Sequence, residues 1–349
     1  MSEGGRRLVT SHDVAHAAGV SQSTVSRALR GEPGMSAVTR QRVAAAAGRL
    51  GYVPSERGRS LSTRVTRRIG VICPELTNQF YPELIEPLRV ALEAVGYRPI
   101  LIADRNESDD SVAWLTDGSV DGVVMTAAAW DSRLPYRLRE RGLPVVLANR
   151  DIRGGDIDAC VFDNAAGARQ VAELLVGLGH RVIGMLCGPE EASTARERES
   201  GFRDSLAAHG LEVGEPLVRR GAYSYHSGHV GADGLLDVGE PPTAIFCMND
   251  VIALGAANAL VARGLRLGRD MTVVGFDDIS TSSWDVVSLT TVRCDLPGLA
   301  DGAVRMLMRR LQDGSTPVQR HVIEPGLVLR TSHGPPPDPD RLRRLLRRG

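Results

Sequence analysis

The sequence predicts a small all-α head followed by a larger α/β body that contains two doubly wound parallel sheets. Two closely spaced helical patterns lie within residues 10–29, and from residue 68 onward short Val-, Ile- and Leu-rich runs alternate with helical stretches. At 349 residues the chain is also long enough for two or three ordinary domains, each with its own core.

Residues 10–29, with the sequence TSHDVAHAAGVSQSTVSRAL, predict a helix-turn-helix. Thr10 or Ser11 provides an N-cap for the first helix, and Gly19 provides its C-terminal stop. Ser21 begins a second helix directly after a short turn, which fixes a steep angle between the two helices. The second helix therefore has a polar outward face that can enter the major groove of DNA.

A third helix is predicted from its N-cap Ser36 to Leu50, just before Gly51. Its apolar residues Val38 and Val43 are expected to close a small three-helix core over the first two helices. Residues 51–68 then carry Pro, Gly and several Arg but few apolar side chains, so they cannot bury themselves in isolation. This segment is expected to be a linker, or to fold on contact with a partner.

The body is predicted to hold two parallel sheets because its apolar runs are nearly continuous and are separated by helices. In such sheets a ligand cleft lies at the carboxyl ends of the strands. The predicted strands are 68–74, 98–104, 121–126, 144–149, 159–163, 181–187, 243–249 and 271–277, and the predicted helices include 80–95, 165–178, 196–209 and 251–263.

The formal net charge of zero hides an asymmetry between the two parts of the chain. Residues 1–68 carry 12 Arg against 4 acidic residues, whereas residues 69–349 carry 30 Arg against 38 acidic residues. A basic head on an acidic body predicts that one end of the molecule binds a phosphate backbone. The five Cys are scattered without a CxxC pair, so neither a zinc site nor a disulfide framework is suggested, and no cofactor is expected.

The sequence lacks the motifs of several enzyme classes. No GxGxxG follows a strand, and neither a P-loop nor a GxSxG motif is present, so dinucleotide, nucleotide and serine-hydrolase chemistry lack their parts. We therefore expect no enzymatic activity. An exported solute-binding protein, the second alternative, would need a signal peptide and no basic head, and the sequence shows the reverse.

The run DVAHAAGVSQSTVSRAL at 13–29 resembles the N-terminal signature of the lactose-repressor and galactose-repressor (LacI/GalR) family of bacterial transcription regulators. Runs of the body extend the resemblance nearly to Ser332, among them IGVICPELTNQFY, PVVLANR, PTAIFCMND and VVGFDDI. The resemblance implies a periplasmic-binding-protein-like body in which the chain crosses three times between two subdomains, near residues 163, 293 and 325.

The resemblance also implies the domain bounds. The tail at 334–349 is rich in Pro and Arg, and we expect it to be disordered, with too few leucines for a tetramerising coiled coil. The other bounds are a helix-turn-helix domain at 1–53, a hinge at 54–67, and an effector-binding and dimerisation domain at 68–333, with its N-subdomain at about 68–162 and 294–325 and its C-subdomain at about 163–293 and 326–333.

DNA contacts are expected from the outward face of the second helix and from the hinge. Arg27 is the best candidate for a bidentate contact to guanine. The resemblance implies that the hinge forms a short helix on DNA and that Leu61 wedges into the minor groove, although Gly58 costs roughly 1 kcal/mol there relative to Ala. The full set of expected DNA contacts is Thr10, Ser21, Gln22, Ser23, Thr24, Ser26, Arg27, Arg30 and Leu61.

Effector contacts are expected where polar residues end a strand or follow a loop, as Asn249, Asp277 and Arg198 do. An amide, a carboxylate and a guanidinium complement the vicinal hydroxyls of a sugar, and the resemblance implies that these three residues are the polar anchors. It also places three rings near the ligand, those of Phe80, Phe162 and Tyr223. A surface ion pair for Arg198, a helix N-cap for Asp277 and core packing for the rings remain open alternatives.

Three residues depart from the family pattern around the expected ligand. Asn149 stands where an Asp is usual, Thr126 where the lactose repressor has an Asn, and Cys294 where a Gln is common. These departures leave the identity of the effector open.

Together, these patterns predict a sequence-specific DNA-binding transcription regulator, a repressor that binds a pseudo-palindromic operator as a homodimer. A small effector, a sugar or sugar derivative, is expected to control it allosterically. A purine-type effector and action as an activator remain alternatives. We expect the protein in the cytoplasm, on the nucleoid when bound to its operator, without membrane contact.

Overall fold

The computed structural model describes residues 9–29, 31, 33–52, 65–74, 76–103 and 109–346. Two compact units make up the chain, Met1–Thr66 and Arg67–Gly349, called the head and the body below. Among the described residues, no helix has the length and apolar composition that a membrane span requires.

The head contains three helices that begin and end where the local sequence dictates. Thr10 caps the first helix, because its hydroxyl accepts a bond from the Asp13 N–H while the Asp13 carboxylate accepts one from the Thr10 N–H. Gly19 and Gly51 adopt the left-handed conformation that ends a helix, as predicted. The helices are α1 (Ser11–Ala18), α2 (Gln22–Leu29) and α3 (Ala37–Leu50).

One valine from each helix lies fully buried at the centre of the head: Val14, Val25 and Val43. Small Ala side chains surround them, so the three helices can pack closely. The prediction that Val38 points inward is wrong, because its side chain is 74% exposed. Five residues separate Val38 from Val43, and at about 100° per residue they lie on nearly opposite faces of the helix.

The body contains two parallel sheets, as predicted. In the first, the strand order is β11-β5-β4-β3-β1-β2, and in the second it is β7-β6-β8-β9. A short antiparallel pair, β10-β12, completes the body. The strands are β1 (Arg68–Cys73), β2 (Arg98–Ala103), β3 (Gly122–Met125), β4 (Val145–Ala148), β5 (Asp158–Phe162), β6 (Ile183–Cys187), β7 (Val218–Arg220), β8 (Ala244–Cys247), β9 (Thr272–Val274), β10 (Thr291–Arg293), β11 (Arg320–Ile323) and β12 (Gly326–Val328).

Helices cover both sheets and bury the central strands almost completely, which explains why those strands read as continuous apolar runs. The largest buried side chains include Phe202, Phe246 and Phe276 in the second subdomain. The helices are α4 (Phe80–Ala94), α5 (Asp109–Leu115), α6 (Leu134–Glu140), α7 (Asn164–Gly177), α8 (Ser193–Ala208), α9 (Tyr225–Leu236), α10 (Asp250–Ala262), α11 (Leu296–Gln312) and α12 (Pro339–Leu346).

The chain passes between the two sheets more than once. Strand β11 lies late in the sequence but pairs with β5 in the first sheet, and α11 packs on the same sheet. The β10-β12 pair therefore lies where the chain leaves and re-enters the first subdomain. The predicted subdomain bounds stay predictions. The body nevertheless has two parts, because each sheet with its helices forms one of them.

The tail differs from the expectation of disorder over its described part, residues 334–346. The side chain of Leu342 is 2% exposed and packs into the core of the second subdomain. The guanidinium of Arg341 lies 2.6 Å from the Asp270 carboxylate, and the Gly334 carbonyl accepts a hydrogen bond from Thr272. Composition alone could not reveal this docking, because it depends on a groove built by residues far away in the sequence.

Candidate functional site

The outward face of α2 presents the polar side chains that the sequence singled out. Gln22, Ser23 and Arg27 are exposed, whereas Thr24 and Ser26 are half-buried. Ser23 and Arg27 are four residues apart and therefore lie one above the other on the same face. The arrangement offers hydroxyl, amide and guanidinium groups to an approaching surface.

Two of the predicted DNA contacts also hold the helices themselves. Thr10 caps α1, and the Ser21 hydroxyl caps α2 by accepting a bond of 3.2 Å from the Thr24 N–H. The Gln22 amide donates a bond of 3.2 Å to the Ser11 hydroxyl, which joins the two helices. Arg30 and Leu61 lie outside the described residues, as does most of the hinge, so their roles stay predictions.

A narrow polar pocket lies in the body, at the carboxyl ends of the strands, and its cavity volume is about 20 Å³. Pockets for drug-sized ligands range from roughly 300 to 1,000 Å³, so the cleft must open to admit such a ligand. Five of the six predicted effector contacts line the pocket. The lining residues are Asn78, Phe80, Tyr81, Asn149, Arg150, Thr194, Arg198, Tyr223, Asn249 and Asp277.

Phe162 is the predicted effector contact that does not line the pocket. Its side chain is 1% exposed and packs in the main core of the body. Strand side chains alternate between the two faces of a sheet, and the sequence alone does not show which face of β5 meets the cleft. The alternative left open for this ring, packing in the core, is therefore the one that the structure supports.

Arg198 and Asp277 form a buried ion pair, with 3.1 Å between Nη2 and Oδ1. The other two nitrogens of the guanidinium each donate as well: Nε donates to Asn164 Oδ1 over 2.8 Å, and Nη1 donates to the Met248 carbonyl. The Phe276 ring lies 3.7 Å from the centre of the guanidinium. Arg198 is therefore fixed in place and is not part of a surface ion pair.

Asp277 occupies a left-handed backbone conformation, with φ of 118°, which is unusual for a residue other than Gly. It does not cap a helix, since the N-cap position of the short 3₁₀ helix that follows is Ile279, which makes no side-chain capping bond. Burial raises the pKa of Asp277 to about 6, although the charge of Arg198 opposes this shift. The strained backbone, buried charge and shifted pKa are typical of a residue kept for binding.

Asn249 and its neighbour Asp250 begin α10. The side-chain oxygen of Asn249 accepts a bond of 2.9 Å from the Ile252 N–H, so its amide nitrogen is the group left to face the pocket. Asp250 is fully buried, and its carboxylate accepts hydrogen bonds from the Ser282 and Thr291 hydroxyls. Burial, together with the nearby Asp277, raises the pKa of Asp250 to about 8.

Hydrogen bonds join the two subdomains beside the pocket. The Glu83 carboxylate on α4 accepts bonds from the N–H and the hydroxyl of Ser280, at 3.0 and 2.7 Å. The Gln79 amide nitrogen donates to the Ser280 hydroxyl over 2.9 Å, and the Gln79 amide oxygen accepts a bond from the Thr281 hydroxyl over 3.0 Å. These contacts, called the latch below, hold the cleft in its narrow form.

The crossing strands are fixed to the residue next to Asp277. The carboxylate of Asp278 bonds to Arg293, in β10, over 2.7 Å and to Arg330, just after β12, over 2.6 Å. The Asp277 N–H also donates to the Val292 carbonyl. Asp277 is therefore connected to both crossing strands through its own backbone and through the neighbouring Asp278.

Sequence reasoning missed five lining residues or did not assign them a role: Asn78, Tyr81, Asn149, Arg150 and Thr194. Asn149 and Arg150 directly follow strand β4, so their place at a strand end was a signal that could have identified them. Asn149 was noted only as a departure from the family pattern. No group of His, Cys, Asp and Glu side chains in the described part of the chain could hold a metal ion.

Two family models match this chain. Residues 10–55 match bacterial regulatory proteins of the lacI family, and residues 172–333 match a periplasmic binding protein-like domain. The first match covers the helix-turn-helix, and the second covers most of the second subdomain together with the crossing strands.

Curated relatives match over nearly the whole chain. An uncharacterised HTH-type transcriptional regulator in the aml 5′ region of Streptomyces limosus is 36% identical over 92% of this chain and 93% of its own length. The HTH-type transcriptional regulator CelR of Thermobifida fusca is 32% identical over 94% of this chain and 99% of its own. Both are named as transcription regulators and not as enzymes.

Solved structures show the same architecture. A complex of the transcriptional regulator CelR with cellobiose superposes with a TM-score of 0.72 at 31% identity, covering 93% of this chain and 99% of that one. The lac repressor dimer bound to operator and the anti-inducer ONPF superposes with a TM-score of 0.85 at 28% identity, covering 94% and 100%.

Proposed function

This chain belongs to the LacI family of bacterial transcription regulators, and from that premise we propose that it is a homodimeric repressor controlled by a small hydroxylated effector, a sugar or sugar derivative. The observation that carries the proposal is that one chain combines an outward polar helix with a buried polar pocket. The first suits DNA and the second suits a hydroxylated ligand. The relatives support both parts, since CelR was solved with cellobiose and the lac repressor as a dimer on operator DNA.

In the head, we propose that Gln22, Ser23 and Arg27 read base edges in the major groove. Thr10, Ser21, Thr24 and Ser26 support them by holding the helices and contacting phosphates. Arg30 and Leu61 complete the proposed set, with Leu61 as the minor-groove wedge. Because the two heads of a dimer are related by a two-fold axis, the operator is proposed to be pseudo-palindromic.

In the body, we propose that Asp277 and Asn249 bind ligand hydroxyls and that Arg198 holds Asp277 in place for this task. Phe80 and Tyr223 provide ring surfaces in the same pocket. A ligand shifts the balance between two states only by the difference in its affinity for them, typically about 1–3 kcal/mol. Binding beside the latch and the crossing strands offers the contacts from which that difference can arise.

We further propose that the protein acts at operator DNA in the bacterial cytoplasm and carries out no catalysis. The relatives are regulators by name, and the Asp277 carboxylate of the pocket is engaged in a buried ion pair with Arg198. Such an arrangement suits binding by complementarity.

The test begins with selection of an operator from random DNA by the full-length protein. We expect a two-fold-related consensus, and a stoichiometry of two chains per site. Operator affinity is then measured against cellobiose, maltose, monosaccharides and purines. Release by a sugar, lost in Asp277→Asn, supports the proposal; recruitment indicates an activator, and a response only to purines identifies a different effector class.

A further inference from the structure

Strand β4 ends in a tight turn that places two polar side chains in the effector pocket. The Arg150 N–H donates to the Ala148 carbonyl over 2.9 Å, and Asn149 between them has a positive φ of 73°. Asn tolerates this left-handed conformation better than most residues. The turn therefore brings both Asn149 and Arg150 to the pocket wall.

The two arginines of the pocket differ in their partners. Arg198 is paired with Asp277, and its other two nitrogens each donate to a protein acceptor. Arg150, in contrast, has no carboxylate partner among the described residues, and its buried Nε lacks an acceptor. Its guanidinium lies 5.7 Å from the centre of the Tyr223 ring.

Asn149 has a similar unmet requirement. Its side chain is 5% exposed, and its Oδ1 has no donor among the described residues. A buried polar atom without a partner is costly, and such atoms in a native fold call for an explanation. A ligand that brings both an acceptor and a donor would satisfy the two atoms at once.

The charges of the pocket lead to the same conclusion. Its lining holds Arg150 and Arg198 but only one carboxylate, that of Asp277. Asp277 forms its ion pair with Arg198, and Arg150 acts on the same carboxylate only from beyond ion-pair distance. The lining therefore carries one more positive charge than negative, and the surplus is on Arg150. Guanidinium groups bind carboxylate and phosphate most strongly, through paired N–H donors.

We propose that the effector carries a negatively charged group, a carboxylate or a phosphate, that pairs with Arg150, and a hydroxyl beside it that donates to Asn149 Oδ1. The ligand class is thus a sugar acid or a sugar phosphate. This inference rests on the proposed function and narrows it. A neutral sugar alone would leave Arg150 without its counter-ion.

The experiment uses full-length protein and matched sugars that differ only in charge. Glucose is compared with glucuronate and glucose 6-phosphate, and galactose with galacturonate and galactose 6-phosphate, by thermal shift and calorimetry. We expect a charged member of the panel to bind at least tenfold more tightly than its neutral counterpart. The carboxylate and phosphate arms distinguish the two sources of charge.

Three variants connect the preference to Arg150. Arg150→Gln is expected to lower the affinity for the charged ligand by roughly ten- to a hundredfold, which is the scale of a lost charge-assisted hydrogen bond. Arg150→Lys keeps the charge and should retain a preference for the charged ligand. Arg153→Gln, an exposed position outside the pocket lining, is the control and should bind as wild type does.

The inference is overturned if no charged sugar binds more tightly than its neutral counterpart, including the case in which no member binds. It is also overturned if Arg150→Gln keeps the full preference, or if Arg150→Lys loses as much as Arg150→Gln. A neutral sugar that releases operator would contradict this inference and leave the proposed function intact. Failure to select any operator would instead contradict the proposed function.

Discussion

The head and the body hold their functional side chains in opposite ways. In the head, the proposed base-reading residues are exposed, and the hydrogen bond that caps their helix joins two residues close in sequence, Ser21 and Thr24. In the body, most pocket residues are buried, and Arg198 reaches 34 residues back to Asn164 and 50 residues ahead to Met248. The latch spans 201 residues, from Gln79 to Ser280.

This difference shows what each site tolerates. A side chain on an exposed helix face can change without disturbing the fold, because little depends on it. A side chain in the pocket cannot, because each of its partners is buried and needs it. We therefore expect substitutions in the head to change DNA recognition alone, and substitutions in the pocket to change stability and recognition together.

Asp277→Ala should have the largest effect. It leaves the Arg198 guanidinium buried without its carboxylate, which should lower the free energy of unfolding of the body by about 3–5 kcal/mol. All three tryptophans, Trp114, Trp130 and Trp284, lie in the body, so their fluorescence during urea unfolding reports on the body alone.

The control for this substitution is Glu86→Ala, which breaks an exposed ion pair with Arg89. Water already solvates both charges there, so the unfolding curve should hardly move. Equal losses in the two variants would show that the buried pair is no more important than a surface pair. The contrast drawn between the two regions would then be wrong.

Arg27→Ala should have the next largest effect, confined to DNA recognition. Loss of a bidentate contact to guanine should reduce discrimination between operator and scrambled DNA by about 1–3 kcal/mol. Fluorescence anisotropy with the selected operator measures this, and the tryptophan unfolding curve should match that of wild type. An equal loss of affinity for both DNAs would instead assign Arg27 to a phosphate.

The free energy of unfolding of the body should depend on pH because of Asp250, a buried carboxyl group of a kind that the exposed contact face of the head lacks. With a pKa of about 8 in the fold against 3.8 ordinarily, the folded body retains a proton that the unfolded chain releases. Stability from this group is therefore present at low pH and is lost as pH rises from about 4 through 8, by at most about 1.4 kcal/mol per pH unit.

Asp250→Asn cannot titrate, so the variant should gain stability relative to wild type as the pH rises over this range. The measurement is urea unfolding followed by tryptophan fluorescence between pH 5 and 9. A wild-type and a variant curve that stay parallel across these pH values would rule out a protonated Asp250.

The smallest expected effect is that of Glu83→Gln in the latch. The neutral amide accepts weaker hydrogen bonds from Ser280 than the carboxylate does. The closed form should therefore lose about 1 kcal/mol of stabilisation relative to the open form. Spin labels on Cys introduced at the exposed residues Glu93 and Asp285 report the distance between subdomains, since all five native Cys are buried.

We expect the distance distribution of this variant to shift towards longer values without any ligand. Glu86→Gln, on the same helix but away from the latch, is the matched control and should keep the wild-type distribution. Identical distributions in all three proteins would show that the latch does not set the closed form.

Several features of the protein could be predicted from the sequence with good accuracy. The caps Thr10, Ser36, Gly19 and Gly51 stand where predicted, because capping depends on only a few neighbouring residues. The eight predicted strands were also found. The central strands are covered on both faces and therefore need an unbroken apolar run, and the partly exposed edge strand β2 carries a similar run. Short or half-exposed elements such as β7, α5, α6 and α9 gave no such pattern and were missed.

By itself, then, the sequence determined the helix-turn-helix, the parallel sheets and the strand ends that line the cleft, because local hydrogen bonding and apolar periodicity are written in neighbouring residues. Only the tertiary structure decided the burial of Phe162 and the docking of Leu342, and only it paired Arg198 with Asp277 while leaving Arg150 without a carboxylate. The physical reason is that burial and charge pairing depend on which distant residues meet, and no local pattern encodes that meeting.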